Sequence, residues 1–174
     1  VSFDKKPTKE QMLEAWANFR GPAQELNLPS APKQFLHYFT EPDRPQPKLD
    51  RNTENGMAVC IGRLREDTLF DYKFACMSHN TLRGAAGGAV LLAELLAAKG
   101  YAVTATDLSE EMLTQAMSKA AALEQPPLFV QQSMPRLRLP EPVDAVVSTL
   151  DSLNYLTREK DIRETFRRVF RALK

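Results

Sequence analysis

The chain has little cysteine: among its 174 residues only Cys60 and Cys76 occur, each inside an apolar segment. Two such thiols make no disulfide framework, and a reducing, cytoplasmic compartment is the simpler reading. It has little net charge as well. The 23 basic residues stand against 22 acidic ones, which removes any electrostatic case for nucleic acid or an anionic membrane as partner. No apolar run has the length of a signal sequence or a membrane span, and there is neither a repeat nor a low-complexity tract. What remains is ordinary in measure: 43% apolar and 26% charged residues, enough for one sizeable core. The chain opens on Val1 and stops at Lys174 inside a helical pattern, so it reads as a piece cut from something longer.

Local signals predict a change of architecture along the chain. Thr8 with Gln11 three residues on forms a capping box, and Met12, Leu13, Trp16 and Phe19 share one face of the helix before Gly21-Pro22 stops it. From Gly21 to Asp50 six prolines forbid long regular elements, leaving an extended arm with a short helical turn around Gln34 to Tyr38. Two strands follow, Met57 to Leu64 and Phe70 to Met77, as an antiparallel pair turning at Arg65-Glu66-Asp67, with Cys76 pointing into the sheet. Ala85 to Lys99 is a helix ended by Gly100. From Tyr101 onward strand and helix alternate. The predicted strands are Tyr101 to Thr106, Leu128 to Gln131 and Val143 to Thr149. Helices start after Ser109 and at Thr157, the latter with Ile162, Phe166, Val169, Phe170 and Leu173 on one side. The predicted fold class is therefore α/β: an α+β N-terminal portion with antiparallel strands, then a Rossmann-like half sheet of alternating β and α. Gly84-Ala-Ala-Gly-Gly88 opens a helical run and Asp107 ends the next strand about 20 residues later, the layout of a nucleotide-binding crossover.

The first half carries five blocks in order: Leu28-Pro-Ser-Ala-Pro-Lys-Gln34, Asp43-Arg-Pro-Gln-Pro-Lys-Leu-Asp-Arg51, Gly56-Met57, Gly62-Arg-Leu-Arg-Glu-Asp67, and Tyr72-Lys-Phe74 through Ser78 to Gly88. With these, residues 1–97 closely resemble the C-terminal part of aspartate-semialdehyde dehydrogenase of the archaeal and fungal type. The resemblance implies a family that reductively dephosphorylates aspartyl phosphate with NADPH in amino-acid biosynthesis, using a cysteine that forms a thioester and a histidine base. Those two residues are expected upstream of Val1. It also implies that residues 1–98 hold the end of a substrate and dimerisation region, with homo-oligomers formed through the N-terminal portion, and that Asn80 and Gly84 approach the nicotinamide end of NADP. A helix opening on glycines offers N–H groups at close range for that purpose.

The second half reads differently. Gly100 to Leu113, Phe129-Val-Gln-Gln-Ser-Met134, Leu139 to Val147 and Asp151-Ser-Leu-Asn-Tyr-Leu156 together resemble a class I S-adenosylmethionine-dependent methyltransferase, from its second strand to the helix after its fourth, within residues 99–174. The resemblance implies that Asp107 accepts both ribose hydroxyls of S-adenosylmethionine, a task suited to a bidentate carboxylate. Ser133 stands where the family often has an acid for the adenine amino group. Asp151, Asn154 and Tyr155 line the mouth of the cofactor and substrate site. Other readings stay open: Asp107 as a turn acid capping the Ser109 helix, Asp151 as a cap of the following segment, His79 as a turn-capping rather than cofactor-facing residue. The family's first strand and its glycine loop are replaced by dehydrogenase-like text, and Gly84, Gly87 and Gly88 do not reproduce the loop's spacing.

Three readings of function follow. The chain is a dehydrogenase fragment fused to part of a methyltransferase and inactive for want of the nucleophile and base. Alternatively it is a methyltransferase module that binds its cofactor through Asp107. In the third, it is a catalytically silent chimera acting only by association. A small-molecule cofactor is the expected partner in the first two; no residues are assigned to a metal.

Overall fold

Two compact units, Val1–Leu91 and Leu92–Lys174, make up the chain. The computed structural model describes residues 1–149 and 151–174. In the first unit the capping box forms as expected. The Gln11 N–H donates to Thr8 Oγ1 at 3.2 Å and the Thr8 N–H donates to Gln11 Oε1 at 2.9 Å, opening α1 (Lys9–Ala17). Trp16 from this helix lies against Tyr38, with ring centroids 5.8 Å apart, and edge-on to Phe74 at 5.1 Å. Short helices α2 (Pro22–Glu25) and α3 (Pro47–Asp50) begin on proline, where the missing N–H costs nothing.

The sheet of this unit has the order β1-β2-β3. Strands β2 (Val59–Glu66) and β3 (Tyr72–Ser78) form the predicted antiparallel pair, with a bulge between Gly62 and Arg65 where Arg63 takes φ 57°. The helical turn expected around Gln34 to Tyr38 is instead strand β1 (Leu36–Phe39), pairing parallel with β2 from Leu36 opposite Val59 to Phe39 opposite Gly62. The run Phe35 to Phe39 is rich in aromatics, which suit a pleated surface, and the edge of β2 supplies the hydrogen bonds that local signals could not foretell. Cys76, expected to face the core, is exposed, whereas Cys60 is 1% exposed. Trp16 lies edge-on to Phe74, on the same face of β3 as Cys76.

The proline-rich segment is pinned by Asp50. Its carboxylate is fully buried and accepts from the Arg44 guanidinium, from Nε at 3.0 Å and also from Nη2, and from the Gln46 N–H at 2.6 Å. The Arg44 hydrogen bonds hold this carboxyl below the usual carboxylate range against the opposing effect of burial. Arg44 also lies 3.9 Å over the Phe39 ring. A Cβ at residue 62 would collide with the Arg44 carbonyl, so glycine there lets the segment press onto β2.

Helix α4 (Gly87–Ala98) runs across the division between the units and ends in a Schellman arrangement. Gly100, at φ 87°, donates to the Ala97 carbonyl at 2.9 Å and Tyr101 donates to Leu96 at 3.1 Å. The second unit then has β4 (Thr104–Asp107), α5 (Glu110–Ala120) capped by the Ser109 hydroxyl, and β5 (Leu128–Gln131), with β4 and β5 parallel and in register from Thr104–Leu128 to Asp107–Gln131. Leu113, Ala116 and Ala120 form the buried face of α5.

The strand expected at Val143 to Thr149 does not form. Only Val143 pairs, in a parallel bridge with Leu173 at the end of α6 (Glu159–Ala172), and Val146 and Val147 are exposed. The reason lies in strand order. In a doubly wound sheet the first strand sits between the second and the fourth, and the described residues hold no strand in that place, so a segment suited to a central position has no neighbour to pair with. Helix α6 suffers the same loss: it buries Thr165 while Phe166 and Phe170 face outward. No helix among the described residues is long and apolar enough to cross a membrane.

Candidate functional site

The glycine segment is where the N-terminal text would meet a nucleotide. It forms a wide π-type turn, Leu82–Ala86, several of whose N–H groups are already bonded to the residues just before it. Gly84 donates to the His79 carbonyl at 2.9 Å, Ala86 to Thr81 at 3.2 Å, and Gly87 to Leu82. The expected free donors at Gly84 are therefore not free. Gly87 is glycine for packing: a Cβ there would lie 2.6 Å from Met57 Sδ and 2.9 Å from the Leu82 carbonyl oxygen. Gly84 has room for one, its nearest neighbour being the His79 carbonyl oxygen at 3.6 Å. Asn80 is exposed on the same turn.

Of the two readings of His79, the geometry shows the capping one: its Nδ1 accepts from the Thr81 and Leu82 N–H groups, each at 3.3 Å. Arg83, whose charged form burial disfavours, lies 4.5 Å over the Phe35 ring. Neither cysteine is set up as a nucleophile. Burial pushes the Cys60 thiol up, and it donates to the Asp50 carbonyl at 3.5 Å; Cys76 lies exposed on an edge strand.

In the second unit Asp107 ends β4 and is exposed. Its Oδ1 accepts from the Ser109 N–H at 2.8 Å, a turn-capping bond, while Oδ2 takes no hydrogen bond among the described residues. A carboxylate has about four lone-pair sites, so the capping bond leaves acceptor capacity unused. Ser133 precedes the short 3-10 turn Met134–Arg136, its carbonyl accepting from the Arg136 N–H at 2.9 Å, and it lines an open groove of about 470 Å³ with Pro135, Arg136, Leu156, Arg158, Lys160 and Asp161. Neither Asp107 nor Asp151 lines that groove. Asp151, at φ 58°, precedes the turn Ser152–Tyr155 and its carbonyl accepts from the Asn154 N–H at 2.8 Å, so its backbone closes the turn while its side chain is exposed. Sequence reasoning passed over Gln132. Its Oε1 accepts from the Arg138 N–H, and its buried Nε2 has no partner among the described residues. Position alone, one residue before Ser133 at the end of β5, was the available signal.

Strands followed by helices, with an acid closing the first and polar residues after the second, define a partial nucleotide-binding α/β unit, and before it stands a mixed three-stranded sheet of a different kind. Residues 82–174 match the methyltransferase domain family, to which the chain belongs through them. Residues 1–83 match the semialdehyde dehydrogenase, dimerisation domain, family, so two families meet in one chain. The chain is 50% identical over 103 residues to the aspartate-semialdehyde dehydrogenase of Schizosaccharomyces pombe, covering 58% of this chain and 29% of that protein. It is 41% identical over 96 residues to that of Archaeoglobus fulgidus, covering 55% and 27%. The crystal structure of aspartate semialdehyde dehydrogenase with NADP from Candida albicans matches 57% of this chain and 28% of its own, with a TM-score of 0.51 and 43% identity. The chain thus spans less than a third of the length of these relatives.

Proposed function

We propose that this chain is a dehydrogenase fragment joined to part of a methyltransferase, silent in dehydrogenase chemistry on its own residues. One observation carries the reading: in the segment expected to approach a nicotinamide cofactor, around Asn80 and Gly84, the Gly84 and Ala86 N–H groups are bonded in a π-type turn. The Gly84 N–H is held by the His79 carbonyl and would have to give up that bond before it could donate to NADP. The buried thiol of Cys60 and the capping role of His79 supply no substitute nucleophile and base. The free thiols of both cysteines suit a reducing compartment such as the cytoplasm. The match to a dimerisation domain supports self-association through residues 1–83.

A second reading, S-adenosylmethionine binding through Asp107, is favoured by the unbonded Oδ2 of Asp107 and by the orphaned Nε2 of Gln132 beside Ser133. These donors and acceptors suit a ribose diol and a heterocycle edge. When bound, the cofactor would supply an activated methyl group, and Asp107 would hold its ribose. Against this, no glycine cradle follows a strand of the second unit, and Ser133 brings a hydroxyl where an acid is common.

Thermal melting of the full chain with NADPH and with S-adenosylhomocysteine tests both readings. A ligand at a hundred times its dissociation constant adds about 2.7 kcal/mol to a folded binder. No shift with either ligand supports the silent fusion; a shift with S-adenosylhomocysteine, lost in Asp107→Ala, supports the second reading; a shift with NADPH overturns the account of the closed glycine turn.

A further inference from the structure

The groove of about 470 Å³ beside Ser133 falls within the range of volumes that hold small molecules, and its walls carry an unbalanced charge. Arg136, Arg158 and Lys160 line it against a single carboxylate, that of Asp161, an excess of two positive charges. Cations brought to one concavity repel one another, so this wall lacks a counter-charge.

The cations come from two elements. Arg136 closes the 3-10 turn Met134–Arg136, which packs against α6, while Arg158 and Lys160 stand at the start of α6 itself. Asp161 is already engaged: it accepts from Arg158 Nε at 2.6 Å, and the two Nη groups of Arg158 have no partner among the described residues. Arg136 and Lys160 form no ion pair among the described residues. Glu159, the acid between Arg158 and Lys160, pairs with Arg163 one turn further along. Helix α6 also begins without a side-chain cap, which adds the positive end of its dipole to the same wall. Folding therefore gathers positive charge here without supplying what neutralises it, an unfavourable arrangement that a bound anion would offset.

The remaining lining residues bear on what carries the anion. Leu156 and Pro135 are apolar, and Ser133 brings a hydroxyl. A guanidinium fork matches the paired oxygens of a phosphate, and a phosphomonoester carries about 1.5 to 2 negative charges at pH 7. We infer that the groove binds a small organic phosphomonoester, with Arg136, Arg158 and Lys160 on the phosphate and Leu156 and Pro135 against the carbon skeleton. Neither Asp107 nor Asp151 lines the groove, so the site stands apart from both readings of function and does not depend on which cofactor binds.

The probe is phenyl phosphate, titrated into the full chain at fixed ionic strength and followed by amide NMR. An open site holding a ligand of this size is expected to bind it with a dissociation constant on the order of 1 mM. The amide signals of Ser133, Leu156 and Lys160 should move along one saturation curve, and inorganic phosphate and succinate should each bind more weakly. Arg136→Ala and Lys160→Ala should each weaken binding about tenfold. Arg171→Ala, which removes a cation of α6 outside the groove, should leave binding unchanged. Arg136 and Lys160 are exposed, so the spectra of their variants without ligand should keep the dispersion of the parent. A linear drift of the signals without saturation, an equal loss in Arg171→Ala, or saturation confined to signals outside the groove would each overturn the inference. So would inorganic phosphate or succinate binding as tightly as phenyl phosphate, the first because the apolar wall then contributes nothing, the second because the site does not select phosphate.

Discussion

Residues 1–91 and residues 92–174 are close in length and build different interiors. The first unit buries Met12, Leu28, Met57, Ile61, Tyr72 and Leu91 and closes a three-stranded sheet under Trp16. In the second, the buried apolar residues among those described are Leu113 and four alanines, beside the buried polar residues Glu94 and Thr165, and the sheet has two strands. Large apolar side chains are not scarce there: Tyr101, Leu108, Val147, Tyr155, Phe166 and Phe170 are all exposed. The difference teaches that apolar content does not make a core unless a sheet is present to lay it on. In the first unit the aromatic residues lie on a sheet with a central strand, β2; in the second, the described residues form no central strand, and the apolar side chains that one would cover stay open.

The comparison can be broken most forcefully at Asp50. Replacing it by alanine leaves the Arg44 guanidinium and the Gln46 N–H without their acceptor and should cost about 3 kcal/mol, the lower end for breaking a buried ion pair, in the transition that reports on β2. Denaturant unfolding followed by Trp16 fluorescence reads it, since Trp16 belongs to the first unit. The same carboxyl gives the pH dependence. Its folded value lies below its unfolded value, so its stabilisation is present above the unfolded pKa and disappears as pH falls through the folded one. Acid melting curves of the parent should therefore lose stability below about pH 4, and those of Asp50→Ala should lose less over that interval.

Leu113→Ala removes the one large apolar side chain buried on α5 and should cost about 2 kcal/mol, near the lower end for such truncations because the site is close to solvent. Amide exchange resolved by segment checks that the loss is confined to β4, α5 and β5. Gly87→Ala forces a methyl against Met57 and the Leu82 carbonyl and should cost about 1–2 kcal/mol, whereas Gly84→Ala should change stability by less than about 0.5 kcal/mol. Melting of the two variants side by side sharpens the claim that the glycines serve packing. The smallest effect is expected at Asp107→Asn, within about 0.5 kcal/mol of the parent in melting without ligand, because the amide oxygen can still accept from the Ser109 N–H.

Much of the local structure was legible in the residues. The Thr8 and Gln11 box, the Ser109 cap, the stop at Gly100 and the β2–β3 hairpin each depend on groups within a few residues of one another or on strict alternation. What escaped depends on distant partners. Leu36 to Phe39 becomes a strand because Val59 to Gly62 lies beside it, and Val143 to Thr149 fails to become one because nothing does. Cys76 shares a face of β3 with Phe74 yet is exposed, which alternation along the strand does not reveal. At the candidate site, Asp107 and Ser133 could be named from their places at strand ends, while the closed π-type turn around Gly84 could not, since a glycine's freedom does not say which conformation its neighbours will choose.

Helix α4 lies where the text of one family gives way to the other. The two family matches overlap at residues 82 and 83, just before it, and the boundary between the units falls inside it at Leu91 and Leu92. Between its ends a helix makes its hydrogen bonds within its own length, and Gly100 closes this one with a stop formed by the residues that follow it directly. A gene fused within such an element leaves no severed ladder, whereas a fusion inside β2 would strand two neighbouring strands at once. For recombination, natural or in the laboratory, self-contained helices of this kind are tolerant seams, and the damage of a fusion is to be sought in the elements that have lost a neighbour rather than at the seam itself.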